Sequence, residues 1–218
     1  MSEHRVIAVN FLSSDIYELI LERNGLSFVP GDCVSIFKSP KECRPYSIAS
    51  GSEEDHLRFL IKKLDDGNVS KYLAGCQKGD NLQLSPTFGW FRPGQSEANG
   101  NQSVFIATGT GIAPFISYMR SYPDKPLCLY GVRYEESIID QEFLEQQSDF
   151  FPAVSREDTD YFRGRVTELI KSMELIKDTH YYLCGLDSMI DEMALWLEDN
   201  GVAFANIHRE VFFHADSA

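Results

Sequence analysis

The chain has 218 residues, 43% hydrophobic and 24% charged, enough for one large domain or two small ones, each with its own core. A formal net charge of −13 argues against nucleic-acid binding, which needs clustered cations to neutralise phosphates. The charge is uneven: residues 1–100 hold 11 Lys/Arg and 13 Asp/Glu, net −2, whereas residues 101–218 hold 9 and 20, net −11.

The opening Met1-Ser2-Glu3-His4-Arg5 lacks an apolar leader, and no apolar run reaches the roughly 20 residues that span a bilayer. The expectation is a cytoplasmic protein with no membrane contact. Cys33, Cys43, Cys76, Cys128 and Cys184 are odd in number and scattered, and the histidines show no ligand spacing. Reduced thiols and no metal site are expected.

In chain order, Arg5–Ser13, Ile16–Arg23, Cys33–Phe37, Leu57–Leu64 and Asn81–Leu84 read as short strands with β-branched and aromatic residues in rough alternation. Asn24-Gly25, Pro30-Gly31, Asp66-Gly67 and Lys78-Gly79-Asp80 punctuate them as turns. Closely spaced strands of this kind predict a small antiparallel β-barrel. One helix, Val69–Cys76, interrupts it, opened by "DGNVSKYL". The polar, Gly/Asn-rich stretch "RPGQSEANGNQ" over 92–102 marks a boundary, giving domains at 1–95 and 102–218.

Beyond that boundary the rhythm changes. "SVFIATG", "LCLYGV", "FPAVS" and "HYYLCG" read as buried strands, and "IAPFISYMRSY", "DQEFLEQQS", "VTELIKSME" and "SMIDEMALWLEDNG" as the helices between them. Alternation of apolar strands with helices calls for an α/β domain whose parallel sheet is covered on both faces.

Four stretches suggest chemistry. Gly109-Thr110-Gly111 follows a buried strand and opens a helix, so backbone N–H groups and the helix dipole can hold a pyrophosphate. Cys184-Gly185 repeats that strand-to-helix geometry, with Asp187 and Ser188 as capping residues. Ser155, Arg156, Arg163 and Arg165 form the arginine cluster of the acidic half, suited to forked hydrogen bonds with a phosphate, against the plainer reading of a solvated loop balancing Glu157, Asp158 and Asp160. "RPYSIAS", residues 44–50, places a cation, an aromatic ring and a hydroxyl within four residues. Beside a dinucleotide domain that combination suits a flavin: Arg44 for the pyrophosphate, Tyr46 for the ring face and Ser47 for a ring nitrogen.

Together these segments resemble the ferredoxin–NADP reductase family of flavoproteins, particularly its bacterial-type members, along essentially the whole chain. "RPYS" is similar to the family's Arg-x-Tyr-Ser motif, "DGNVS" to its Gly-x-x-Ser helix start, "PTFGWF" to its end-of-barrel segment and "GTGIAP" to its dinucleotide loop. "YGVRYEESI", "VSRE…GR", "CGLDSM" and "HREVFF" follow in the family's order. The resemblance implies FAD held by Arg44, Pro45, Tyr46 and Ser47, lined by Leu60, Ile61 and Lys62, with Asn68, Val69 and Ser70 donating to its phosphates. It implies Thr110, Gly111 and Arg133 beside the nicotinamide dinucleotide, and Ser155, Arg156 and Arg165 on a 2′-phosphate, hence NADP(H). Cys184, Gly185 and Glu210 would border the hydride-transfer site. Phe212, followed by Phe213, would stack on the flavin face opposite Tyr46.

The activity so implied is an FAD-dependent NADPH oxidoreductase that exchanges single electrons with a ferredoxin or flavodoxin, in a chain expected to be a monomer. Those partners are acidic, so docking would fall on the near-neutral first domain, at Arg44, Lys62, Lys63, Lys71, Lys78 and Arg92. The alternatives are an NAD(P)H:flavin reductase and a reductase subunit of a multicomponent oxygenase or dehydrogenase.

Overall fold

The computed structural model describes residues 1–94 and 102–211. The chain divides into two compact units, Met1–Arg92 with Ala113–Tyr122, and Pro93–Ile112 with Pro123–Ala218. Of the boundary stretch expected at 92–102, residues 95–101 lie outside the described residues.

The first unit contains β1 (Ser2–Phe11), β2 (Ile16–Glu22), β3 (Cys33–Ser39), β4 (Glu42–Ser47), β5 (His56–Lys62), α1 (Asn68–Ala74) and β6 (Asn81–Leu84). The strands form one antiparallel sheet in the order β4-β3-β6-β1-β2-β5. Its two ends meet just past β4, where Ile48 bridges Phe59 and Ala49 N–H donates to Arg58 O at 2.7 Å. That bridge brings the two ends of the sheet together, as the expected barrel requires. Alternation delivers Tyr17, Leu19, Leu21, Val34, Ile36, Leu57, Phe59 and Ile61 to the interior.

Helix α1 turns Val69 and Leu73 into the barrel core. The Tyr17 hydroxyl fixes it by donating to Ser70 O at 2.7 Å. Gly67 admits no side chain, because a Cβ there would meet Ser70 Oγ at 2.5 Å.

Helix α2 (Ala113–Ser121) also belongs to this unit. Ser117 Oγ donates to Ser50 O at 2.8 Å, Ser121 Oγ accepts from Ser52 N–H at 2.9 Å, and Arg120 pairs with Glu54 at 3.2 Å. All three bonds fall on the loop that continues directly from "RPYS".

The second unit contains β7 (Val104–Thr108), β8 (Leu127–Val132), α3 (Gln141–Gln147), β9 (Asp149–Val154), β10 (Phe162–Arg163), α4 (Val166–Lys171), β11 (Tyr181–Gly185), α5 (Asp187–Asp199) and β12 (Ile207–Val211). Its sheet is parallel throughout, in the order β10-β9-β8-β7-β11-β12. The chain runs outward from β7 to β10 and then returns to lay β11 on the other side of β7. The β7–β11 boundary is therefore a topological switch point, the place where open α/β sheets bind ligands beyond their strand C-termini. The core packs Ile106, Leu129, Val166, Leu183, Ile190, Met193 and Leu197, drawn from sheet and helices alike.

Among the described residues, no helix is long and apolar enough to cross a membrane.

Candidate functional site

In the first unit, the predicted flavin residues fall on β4 and the elements around it. Arg44 is exposed, and its guanidinium donates to the adjacent Cys43 carbonyl at 2.8 Å. Tyr46 is half-buried, and burial pushes its phenol up to about 12, opposed by the Arg44 guanidinium, so the ring stays neutral at working pH. Ser47 is 4% exposed, its hydroxyl 3.5 Å from the Cys33 thiol. Pro45 sits between them, opposite Ser35.

Leu60 and Ile61 are buried on β5, whereas Lys62 is exposed with Asp15 at 3.5 Å. The first turn of α1 has no side-chain cap, so its amide groups remain available to an anion. Asn68 is exposed there, Val69 and Ser70 are buried, and the Ser70 hydroxyl accepts from Leu64 N–H at 3.2 Å.

In the second unit, two glycine loops meet at the switch point. Gly109–Ile112 forms a single tight turn after β7, and Gly109 adopts φ +55°, a conformation that favours glycine. A side chain on Gly111 would fall on the Cys184 carbonyl, and one on Gly185 (φ +138°) would fall on the Thr108 hydroxyl. Close backbone approach is thus built into both loops. Thr108 Oγ1 accepts from Leu186 N–H at 2.8 Å, and the Tyr130 hydroxyl donates to Gly109 O at 2.8 Å. Thr110 is half-exposed on the same turn.

Cys184 lies opposite Glu210 in the β11–β12 register, so the two expected neighbours are adjacent. Cys184 is fully buried, and Glu210 is partly covered. Phe212 and Phe213 lie outside the described residues.

The arginine cluster stands at the C-terminal ends of β8, β9 and β10, which neighbour one another in the sheet. Ser155 Oγ donates to Val132 O at 3.2 Å, and Arg156 N–H donates to Arg133 O at 3.0 Å, binding the β8 and β9 loops together. Arg133, Arg156 and Arg165 are exposed. Arg163 pairs with Asp158 at 2.6 Å. Carboxylates interleave: Glu157 accepts from Glu135 N–H, and Thr159 Oγ1 donates to Glu135 Oε2 at 3.0 Å.

Sequence reasoning missed Thr108, Tyr130 and Cys33. Thr108 immediately precedes the glycine turn and could have been included with it. Tyr130 and Cys33 reach the site only through strand register, which no local motif reveals.

The donor set fits a flavin on the barrel: a guanidinium, a neutral aromatic and a hydroxyl on one strand, with an uncapped helix start behind them. The second unit offers close-approach glycines and an arginine rim, which suit a dinucleotide. The class so defined is a two-domain flavin- and nicotinamide-linked oxidoreductase.

Comparison with known proteins agrees. The family models described as "Oxidoreductase FAD-binding domain" and "Oxidoreductase NAD-binding domain" match residues 4–92 and 105–194. The chain is 26% identical over 234 residues to a ferredoxin–NADP reductase of Azotobacter vinelandii, covering 93% of this chain and 91% of that protein. It is 28% identical over 204 residues to the toluate 1,2-dioxygenase electron transfer component of Pseudomonas putida, covering 87% of this chain but spanning only 60% of that relative. The crystal structure of a ferredoxin NADP+ reductase from Neisseria gonorrhoeae with bound FAD and NADP shares the fold, with a TM-score of 0.85, 24% identity and coverage of 96% and 97% of the two chains. The chain is thus built from an FAD-binding and an NAD-binding oxidoreductase domain, and it is similar over nearly its whole length to ferredoxin–NADP reductases.

Proposed function

We propose that the protein is an FAD-dependent NADPH oxidoreductase that exchanges a hydride with NADP(H) and single electrons with a ferredoxin- or flavodoxin-like protein. The observation that carries this reading is the convergence of Gly109–Gly111 and Cys184–Gly185 at the β7–β11 switch point. When bound, the flavin supplies the chemistry that couples a two-electron hydride to one-electron transfer.

The chain's own residues bind and orient. Arg44 neutralises pyrophosphate charge, and the amides of Asn68, Val69 and Ser70 add oriented donors. Tyr46 offers a flat, uncharged ring, while Leu60 and Lys62 share one face of β5 that would line the same cofactor, with Ile61 turned into the barrel core and contributing only its backbone. Ser47 would present its hydroxyl as a hydrogen-bond donor to a ring nitrogen. On the second unit, Thr110, Gly111 and Arg133 seat the dinucleotide, and Ser155, Arg156 and Arg165 grip the 2′-phosphate. Cys184, Gly185 and Glu210 would border the nicotinamide. Holding the reacting groups in a near-attack arrangement removes much of the entropic barrier.

The acceptor docks on the first unit, in this reading. Arg92 is not part of that face, because it pairs with Asp32 at 2.9 Å and bonds Gly89 and Phe91 carbonyls. Arg44, Lys62, Lys63, Lys71 and Lys78 remain as its cationic members, with Lys71 and Lys78 exposed.

A second reading is a reductase component of a multicomponent oxygenase. It is favoured by the similarity to the toluate dioxygenase electron transfer component, of which this chain spans 60%.

Anaerobic titration separates the cofactor assignments. NADPH is expected to bleach the bound flavin at concentrations at least about tenfold below NADH, the value of one charged fork on the 2′-phosphate. Equal titration by both would overturn the NADPH assignment.

A further inference from the structure

The β3–β4 register sets Cys33 directly opposite Ser47. Their side chains meet with Sγ 3.5 Å from Oγ, and both residues are almost fully covered, at 5% and 4% exposure. The Cys33 backbone is also held along its other edge. Its N–H donates to Phe88 O at 2.7 Å, and its carbonyl accepts from Phe88 N–H at 2.9 Å. One residue earlier, Asp32 O accepts from Ile48 N–H at 3.1 Å, and the Asp32 carboxylate takes Arg92 at 2.9 Å and Val29 N–H at 3.0 Å.

A serine hydroxyl carries one rotatable proton, and its neighbours decide where that proton points. A carbonyl beside Ser47 would take the proton outright. A thiol is a weak donor and a weaker competitor for it.

We infer that Cys33 is the positioning residue for Ser47: its S–H donates to Ser47 Oγ and leaves the hydroxyl proton directed at an acceptor on the bound flavin ring. This rests on the reading of Ser47 as a flavin-ring donor. Strand β3 thereby sets the hydrogen bond that β4 delivers.

The test uses full-length, FAD-loaded protein in five forms: native, Cys33→Val, Cys33→Ser, Ser47→Ala, and Cys33→Val with Ser47→Ala. The readouts are the flavin midpoint potential, the FAD dissociation constant and the rate of flavin reduction by NADPH. Cys33→Val is expected to slow reduction about two- to tenfold, the range of one modest hydrogen bond, with FAD affinity unchanged. It should also shift the reduction equilibrium threefold to tenfold in the same direction as Ser47→Ala, tenfold being about 30 mV for a two-electron couple.

Cys33→Ser keeps a donor in place and should retain the native potential. It also serves as the informative variant if Cys33→Val does not hold FAD, since a shifted potential in Cys33→Ser at native FAD affinity would contradict the inference. In the Ser47→Ala background, Cys33→Val should move neither potential nor rate, because no hydroxyl remains to aim. Equal effects of Cys33→Val with and without the Ser47 hydroxyl would overturn the inference, leaving Cys33 a packing residue. Native potential and rate in Ser47→Ala would overturn the reading of Ser47 itself, and the role of Cys33 with it.

Discussion

Thr108 Oγ1 accepts a hydrogen bond from Leu186 N–H at 2.8 Å, so the last residue of β7 holds down the loop that leaves β11. That bond spans the switch point and fixes the spacing of the two glycine loops. Thr108→Val keeps the size of the side chain and deletes the bond, at an expected stability cost of about 0.5–1.5 kcal/mol. On the proposed seating of the dinucleotide in these loops, KM for NADPH should rise more than kcat falls. Steady-state kinetics beside urea unfolding check both, and an unchanged KM would remove this bond from the site.

Arg156 is exposed at the end of β9, and its backbone ties that loop to Arg133. Arg156→Ala should raise KM for NADPH about tenfold or more while moving KM for NADH little, since the 2′-phosphate is what distinguishes the two. Equal effects on both cofactors would assign Arg156 to the part of the ligand they share.

Lys71 and Lys78 are exposed on the first unit, which carries far less net negative charge than the second. Reversing both to glutamate should slow reduction of an acidic electron acceptor, most strongly at low ionic strength, with flavin reduction by NADPH unchanged. Stopped-flow measurement of the two half-reactions separates these. Native acceptor kinetics in the variant would place docking elsewhere.

His180 Nδ1 and His208 Nε2 lie 2.8 Å apart, and His208 stacks on Tyr182 with ring centroids 4.5 Å apart. The bond needs one protonated and one lone-pair nitrogen. Burial lowers the pKa of both rings from 6.5, and for His208 the charge of His180 lowers it further. The unfolded chain therefore binds protons first as the pH falls, so folding stability is highest above pH 6.5 and declines below it. Glu192, lowered from 4.5 chiefly by its hydrogen bond to Lys171, adds a loss of the same sign in a more acidic window. Urea midpoints between pH 7 and pH 5 should fall in the native protein and fall less in His208→Phe, which keeps an aromatic ring but cannot take up the proton. Parallel slopes would show that the pair does not contribute.

Much of the fold could be read from local signals. Apolar alternation and Gly-containing turns marked five barrel strands, and the switch to buried strands with intervening helices marked the parallel sheet. β4 was not delimited as a strand because Pro45 lacks an N–H; the structure tolerates it at the end of the sheet order, opposite Ser35, where a ladder bond can be spared. The helix expected at Val69–Cys76 begins at Asn68 and ends at Ala74, where the Gly75 N–H turns back to Tyr72 O. The glycine loops were legible because close backbone approach demands glycine. The Cys33–Ser47 pair was not, because strand register alone creates it, and the Cys184–Glu210 neighbours were expected only through the family resemblance.

The most direct test is the visible absorption spectrum of the purified full-length protein, with extraction and identification of whatever chromophore it carries. The account predicts a yellow protein that shows the bands of oxidised flavin and binds FAD at one equivalent per chain, weakened by Arg44→Ala or Tyr46→Ala. A colourless chain that takes up no flavin on reconstitution would contradict it.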